Sequence, residues 1–188
     1  DDAVLLRIEP AHAIVDPPGS SLFVDRLTEA RVPPLPEVEW TDGQRAQIER
    51  YAPEGNPGNA LRTLIRVPAL ADRVFPFMRY ITSDSTLPPR HRAILILRTA
   101  WLAQSANLWA THASRAGEAG LPADEVLRVA DGPGEDWSEF ETVLIRLADE
   151  LFQNASVTDE TWEALTQEYD LYNMVDAVVT VNETTAHA

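Results

Sequence analysis

The chain has 188 residues, enough for one domain with a real core or one domain plus an arm. Hydrophobic residues make up 45% and charged residues 24%. This is a globular composition rather than a disordered one, and no apolar run approaches the roughly 20 residues of a membrane span. The 30 acidic residues outnumber the 15 basic ones, for a net charge of −15, which argues against nucleic acid as a partner because duplex binding rests on a basic face.

Residues 1–36 contain Pro10, Pro17, Pro18, Pro33, Pro34 and Pro36. They read as an extended N-terminal arm with one short strand at 3–8 and one short helix at 20–30, too poor in apolar residues for a core of its own. The chain opens on Asp1 rather than Met, as a processed, tagged or trimmed chain does. No basic-then-apolar signal pattern is visible, so the expected location is cytoplasmic. Residues 37–188 are expected to form the helical domain.

Thr41 with Gln44 is a capping-box start for a helix to about Tyr51. A loop at 53–59 leads to a short helix near 60–66. Pro68 suits a first-turn position, opening a helix over 69–81 with Leu70, Val74, Phe77 and Met78 on one apolar stripe and Pro76 placed to kink or divide it. Pro88 and Pro89 open the next helix, whose apolar run through Ile94, Leu95, Leu97 and Trp101 predicts deep burial. A helix over 105–119 follows, stopped by Gly120. Then come a helix at 123–130, a turn at 131–136, and a helix capped by Asp136 with Glu139 that repeats Phe140, Val143, Leu144, Leu147 and Leu151. Thr158 with Thr161 starts a helix to about Tyr169, and a last apolar helix covers 171–181. The fold class is all-α.

The chain contains neither cysteine nor lysine. That removes disulfides, thiolate metal sites, thiol redox catalysis and Schiff-base chemistry. No metal is expected, since His12, His91, His112 and His187 are dispersed without ligand spacing, and no glycine-rich phosphate loop is present. Ser105, Leu108 and His112 fall at i, i+3 and i+7, on one helix face. Seven residues span about 10 Å along the axis, too far for a hydroxyl–imidazole bond within one helix, so Ser105 reads as a cap or a polar pocket group. His112 is either an acid/base in a site or a core histidine bonded to a carbonyl or carboxylate. Arg90, His91, Arg92 and Arg98 cluster on the preceding helix. Arg92 and Arg98 either orient a substrate carboxylate or pair with Asp149 or Glu150. Asn107 and Trp109 flank the histidine as candidate wall residues, with core packing the alternative for Trp109.

Several segments together resemble the carboxymuconolactone decarboxylase and alkyl hydroperoxidase D-like family. They are RVPPLPEVEWTDGQRAQIERY (31–51), NALRTLIRVPALADRVFPFMRYI (59–81), LPPRHRAILILRTAWL (87–102), WATHASRAGEAGLPADEV (109–126), WSEFETVLIRLADEL (137–151) and VTDETWEALTQEYD (157–170). The resemblance implies a helical bundle of the alkyl hydroperoxidase D-like type, assembled as a trimer or hexamer with sites near subunit contacts. Thiol peroxidases of the family use a glutamate, a CxxC pair and a histidine. By position these correspond here to Ala93, to Ser105 and Leu108, and to His112. The decarboxylase branch keeps the histidine without redox cysteines. It usually carries a carboxylate where this chain has Leu108, and often another apolar segment after the position of 180–188.

The function expected is therefore cofactor-free and thiol-free proton transfer on an acidic or oxygenated small molecule, by decarboxylation, isomerisation or a related lyase step. His112 would be the acid/base, with Arg92, Arg98, Ser105, Asn107 and Trp109 around the substrate. The alternatives are a non-catalytic binding or assembly subunit on the same scaffold, or a degenerate alkyl hydroperoxidase. The expected partners are a small-molecule substrate and further copies of the chain, with neither nucleic acid nor membrane.

Overall fold

The computed structural model describes residues 30–53 and 57–187. The strand and the helix expected in the arm lie outside the described residues, apart from Ala30, which is not helical. Among the described residues every regular element is helical, and no helix is long and apolar enough to cross a membrane. They divide into two compact units, residues 30–80 and 81–187, a division not anticipated within the expected 37–188 domain.

In the first unit, a 3-10 turn at Glu37–Glu39 precedes α1 (Asp42–Tyr51), α2 (Asn59–Leu64) and α3 (Pro68–Arg79). The capping box at Thr41 forms as expected: the Gln44 amide donates to Thr41 Oγ1 at 3.3 Å, and the Thr41 amide donates to Gln44 Oε1 at 2.9 Å. Leu35, Ile48, Leu61, Ile65 and Ala71 make a small core. Here the expected α3 stripe is corrected. Ala71 is buried and Phe75 packs on that core, whereas Leu70 and Phe77 are 44% and 42% exposed. The helix does run through Pro76, and beyond Arg79 it widens into a π-helix at Tyr80–Asp84. Pro76 brings no amide to the ladder, which leaves the Asp72 carbonyl without its helical partner.

The second unit is built around α4 (Pro89–Leu102), which packs against α5 (Ala106–Ala113), α6 (Ala123–Asp131), α7 (Glu139–Asn154) and α9 (Leu171–His187). Pro88 and Pro89 open α4, and its residues Ile94 to Ala100 are all buried, as its apolar run predicts. Ile94, Leu95, Leu97, Leu144, Ile145 and Leu147 are wholly or almost wholly inaccessible. Truncating any of these leucines or isoleucines to alanine removes about 2–5 kcal/mol.

Four boundaries differ from expectation. The helix expected over 105–119 ends at Ala113 and tightens into a 3-10 turn at Ala116–Ala119, which Gly120 closes with φ 81°. The cap of α7 is Ser138 with Glu141, not Asp136 with Glu139. Ser138 Oγ accepts from the Glu141 amide at 3.1 Å, and the buried Trp137 anchors the chain just before it. α8 (Asp159–Leu165) starts at the expected Thr158 cap but stops short of Tyr169. α9 continues past Val181, since no glycine or proline interrupts it; Thr184 and Thr185 donate to the carbonyls of Thr180 and Val181.

Candidate functional site

A cavity of about 270 Å³ lies within the second unit. One wall is a face of α4 made by Pro89, Arg92, Ala93 and Ile96, at i, i+3, i+4 and i+7. A second wall comes from His112, Arg115, Ala116 and Ala119, which repeat the same spacing across the end of α5 and the 3-10 turn. Thr82, Ser83 and Glu118 complete the lining. Ala93 and His112 thus face one space.

The two histidines of this unit that sit on α4 and α5 have different fates. His91 is half-buried, its Nδ1 is 2.8 Å from the Tyr169 hydroxyl, and its ring lies against Phe140. Burial lowers its pKa, while the charges of Glu141 and Glu168 pull the other way. His112 has no hydrogen-bond partner for its ring among the described residues, so it is not a carbonyl- or carboxylate-bonded core histidine there. Burial pushes its pKa down to about 4 from the usual 6.5, and the Arg115 guanidinium adds to the depression. At neutral pH the imidazole is uncharged.

Of the residues expected at the site, His112 and Arg92 line the cavity. Arg92 donates to Ser85 Oγ and to the Leu87 carbonyl, both at 3.3 Å. Burial lowers its pKa while the charge of Asp84 opposes that shift. The other four residues do not line this cavity. Arg98 is buried and makes a two-point pair with Asp149, through Nε at 2.6 Å and Nη2 at 3.2 Å. Its Nη1 also donates to the Val129 and Ala130 carbonyls at 3.0 and 2.8 Å. A guanidinium so occupied has no fork left for a substrate. Trp109 is 1% exposed and packs in the core against Trp101, ring centres 5.6 Å apart. Ser105 precedes α5 at the N-cap position, but its side chain makes no capping bond. Leu108 packs on the core, so the shared Ser105–Leu108–His112 face does not become a site face. Asn107 is half-buried.

Arg115, Ser83, Thr82 and Glu118 were not anticipated. Arg115 had a legible signal, because it lies one helical step (i+3) beyond His112. Thr82 and Ser83 had none, since nothing local points from a π-helix towards a distant histidine. A larger cavity of about 430 Å³ lies in the first unit, between Trp40, Arg45, Ile48 and Arg62. It holds no histidine, and Arg45 and Arg62 are already engaged, with Glu37 and with the Leu35 carbonyl. Among the described residues no cluster of His, Asp and Glu could hold a metal ion. Compared with family models, with curated proteins and with solved structures, the chain gave no match.

Proposed function

We propose that this chain is a small-molecule enzyme of the carboxymuconolactone decarboxylase-like kind, with the alkyl hydroperoxidase D-like bundle as its fold, performing cofactor-free and thiol-free proton transfer. The observation that carries the reading is an unpartnered, uncharged His112 imidazole facing a cavity that Arg92 also lines. Such an imidazole begins a reaction as a base. It takes a proton from the carbon between a substrate carbonyl and a C–C double bond, and the C–H electron pair moves into conjugation to give a dienolate. The imidazolium then returns the proton to the far carbon of the former double bond, which shifts that double bond beside the carbonyl and completes an isomerisation. In a decarboxylation of a β-keto acid the imidazole takes the carboxyl proton, the C–CO₂ bond pair passes into the adjacent carbonyl to give an enolate, carbon dioxide leaves, and the imidazolium returns that proton to the carbon. A base-first sequence suits a histidine whose resting form is neutral, so isomerisation fits better than direct protonation of the substrate.

The second reading is a scaffold without catalysis, motivated by Ala93, Ser105 and Leu108. An open cavity beside His112, instead of one filled by side chains, favours the catalytic reading. Hydroperoxidase chemistry is disfavoured because the chain has no cysteine to supply a thiolate. Self-assembly into a trimer or hexamer and a cytoplasmic location remain part of the proposal; a light-scattering mass equal to one chain would remove the first. The decisive experiment assays lactones and keto acids with wild type and His112→Ala. A loss of about 10²–10⁴-fold is expected for an acid/base residue, and equal turnover takes His112 out of the mechanism.

A further inference from the structure

Residues 81–187 contain six arginines, in a chain with twice as many acidic as basic side chains. Four of them are ion-paired: Arg90 with Glu125 and Glu141, Arg98 with Asp149, Arg128 with Asp124, and Arg146 with Glu160. The two that remain, Arg92 and Arg115, both line the His112 cavity. Arg92 donates only to neutral oxygens, Ser85 Oγ and Leu87 O. The Arg115 guanidinium has no hydrogen bond or ion pair among the described residues, although Glu118, on the same turn, also lines the cavity. Among the described residues of this unit, the half-buried Arg92 and the exposed Arg115 are the arginines without an ion pair, with the charge of Asp84 acting on Arg92.

We propose that Arg92 and Arg115 form a two-arginine seat for one compact organic monocarboxylate, and that Arg115 is the residue that selects for its charge. The inference rests on the proton-transfer reading for the role of His112 but not for the binding itself. Among the lining residues two guanidiniums stand against the single carboxylate of Glu118 while His112 is neutral, and with Asp84 acting on Arg92 from outside the lining the site has room for the charge of one carboxylate and not of two. The volume of about 270 Å³ lies just below the roughly 300–1,000 Å³ of drug-sized sites, which restricts the ligand to a compact molecule. A carboxylate on the seat also offsets the charge of Arg115 beside the imidazole. The charged groups around His112 are Arg92 from α4, with Asp84 of the π-helix near it, and Arg115 and Glu118 from the turn after α5. Seating the anion therefore raises the proton affinity of His112, so that the base is strengthened when its substrate arrives.

Benzoate, benzamide and malonate serve as probes, followed by calorimetry and by the His112 imidazole resonance, which His112→Gln identifies. Saturable benzoate binding is expected, weakened at least about tenfold in Arg115→Gln and largely retained in Arg115→Lys, as for a charge-assisted contact. Benzamide should bind at least about tenfold more weakly, and bound benzoate should shift the His112 titration to higher pH. Absence of saturable benzoate binding, equal affinity in Arg115→Gln, or equal binding of benzamide would each overturn the seat. Tighter binding of malonate would overturn its restriction to a single carboxylate. Benzoate binding without turnover of any lactone or keto acid leaves the seat standing and removes the proton-transfer reading. Turnover untouched by Arg115→Gln does the reverse.

Discussion

Arg98 and Arg92 belong to the same helix, α4, yet one is consumed by the fold and the other faces a cavity. Around Arg98 the neighbouring elements deliver Asp149 from α7 and the Val129 and Ala130 carbonyls from α6, so every part of the guanidinium is engaged. Around Arg92 they deliver a serine hydroxyl and a carbonyl, with open space, His112 and Arg115 beyond. Identical side chains on one apolar helix take different roles because packing brings a carboxylate to one and a void to the other. Stability should therefore concentrate at Arg98 and ligand response at Arg92.

The largest effect is expected at Arg98. Arg98→Met leaves the Asp149 carboxylate and two carbonyls without their partner and should cost about 3–5 kcal/mol in urea unfolding. Arg98→Met combined with Asp149→Leu should recover part of that loss. Arg92→Gln should cost no more than about 1 kcal/mol, since its hydrogen-bond partners are neutral and both contacts are long, at 3.3 Å. Equal costs at the two positions would erase the contrast.

Next in size is a pH effect from the cavity side. The folded His112 pKa is lowered to about 4 from 6.5, so between these values the unfolded chain binds more protons than the folded one. Stability therefore rises with pH across that window, is fully present above it, and is lost as pH falls through it. Going from about pH 7 to about pH 4.5, this residue should remove about 2–3 kcal/mol, which His112→Gln should abolish. His91, also lowered by burial, acts in the same sense, so the comparison of wild type with the variant isolates His112. An unchanged pH profile in His112→Gln would show that the imidazole is not held neutral.

Gly132 sharpens the Arg98 side. Its φ is 93°, and a Cβ there would stand 2.9 Å from Arg98 Nη2. Gly132→Ala should cost about 2 kcal/mol from backbone strain and displacement of the guanidinium, read as a lowered melting temperature. The smallest contrast separates two serines at helix starts. Ser138→Ala should cost about 1 kcal/mol because it breaks a working capping box, whereas Ser105→Ala should stay within about 0.5 kcal/mol. A cost at Ser105 equal to that at Ser138 would reveal a role for its hydroxyl beyond the contacts described.

Helix starts were legible because their signals are local: Thr41 with Gln44, Pro68, Pro88 with Pro89, and Thr158 all sit where the residues indicate. Helix ends were less so. The helix of His112 breaks after Ala113 with no proline to announce it, and α9 persists through a threonine-rich tail that propensity alone would end. At the site, His112 and Arg92 were legible as residue types in a suggestive place. Asn107 and Trp109 were drawn in by adjacency to the histidine, yet adjacency along a helix places side chains on different faces; Ser105 was drawn in by a shared helix face, yet it stands before α5 at the N-cap position.

The all-α class, the burial of α4 and the absence of thiol and Schiff-base chemistry followed from the sequence alone, because periodicity, caps and missing residue types are properties of the chain itself. Which arginine is tied into the core, which histidine keeps a partner, and that Arg115 meets Arg92 across a cavity were decided only by tertiary structure. Those outcomes depend on carboxylates, carbonyls and voids supplied by elements distant in sequence, and a buried charge settles wherever its partners converge.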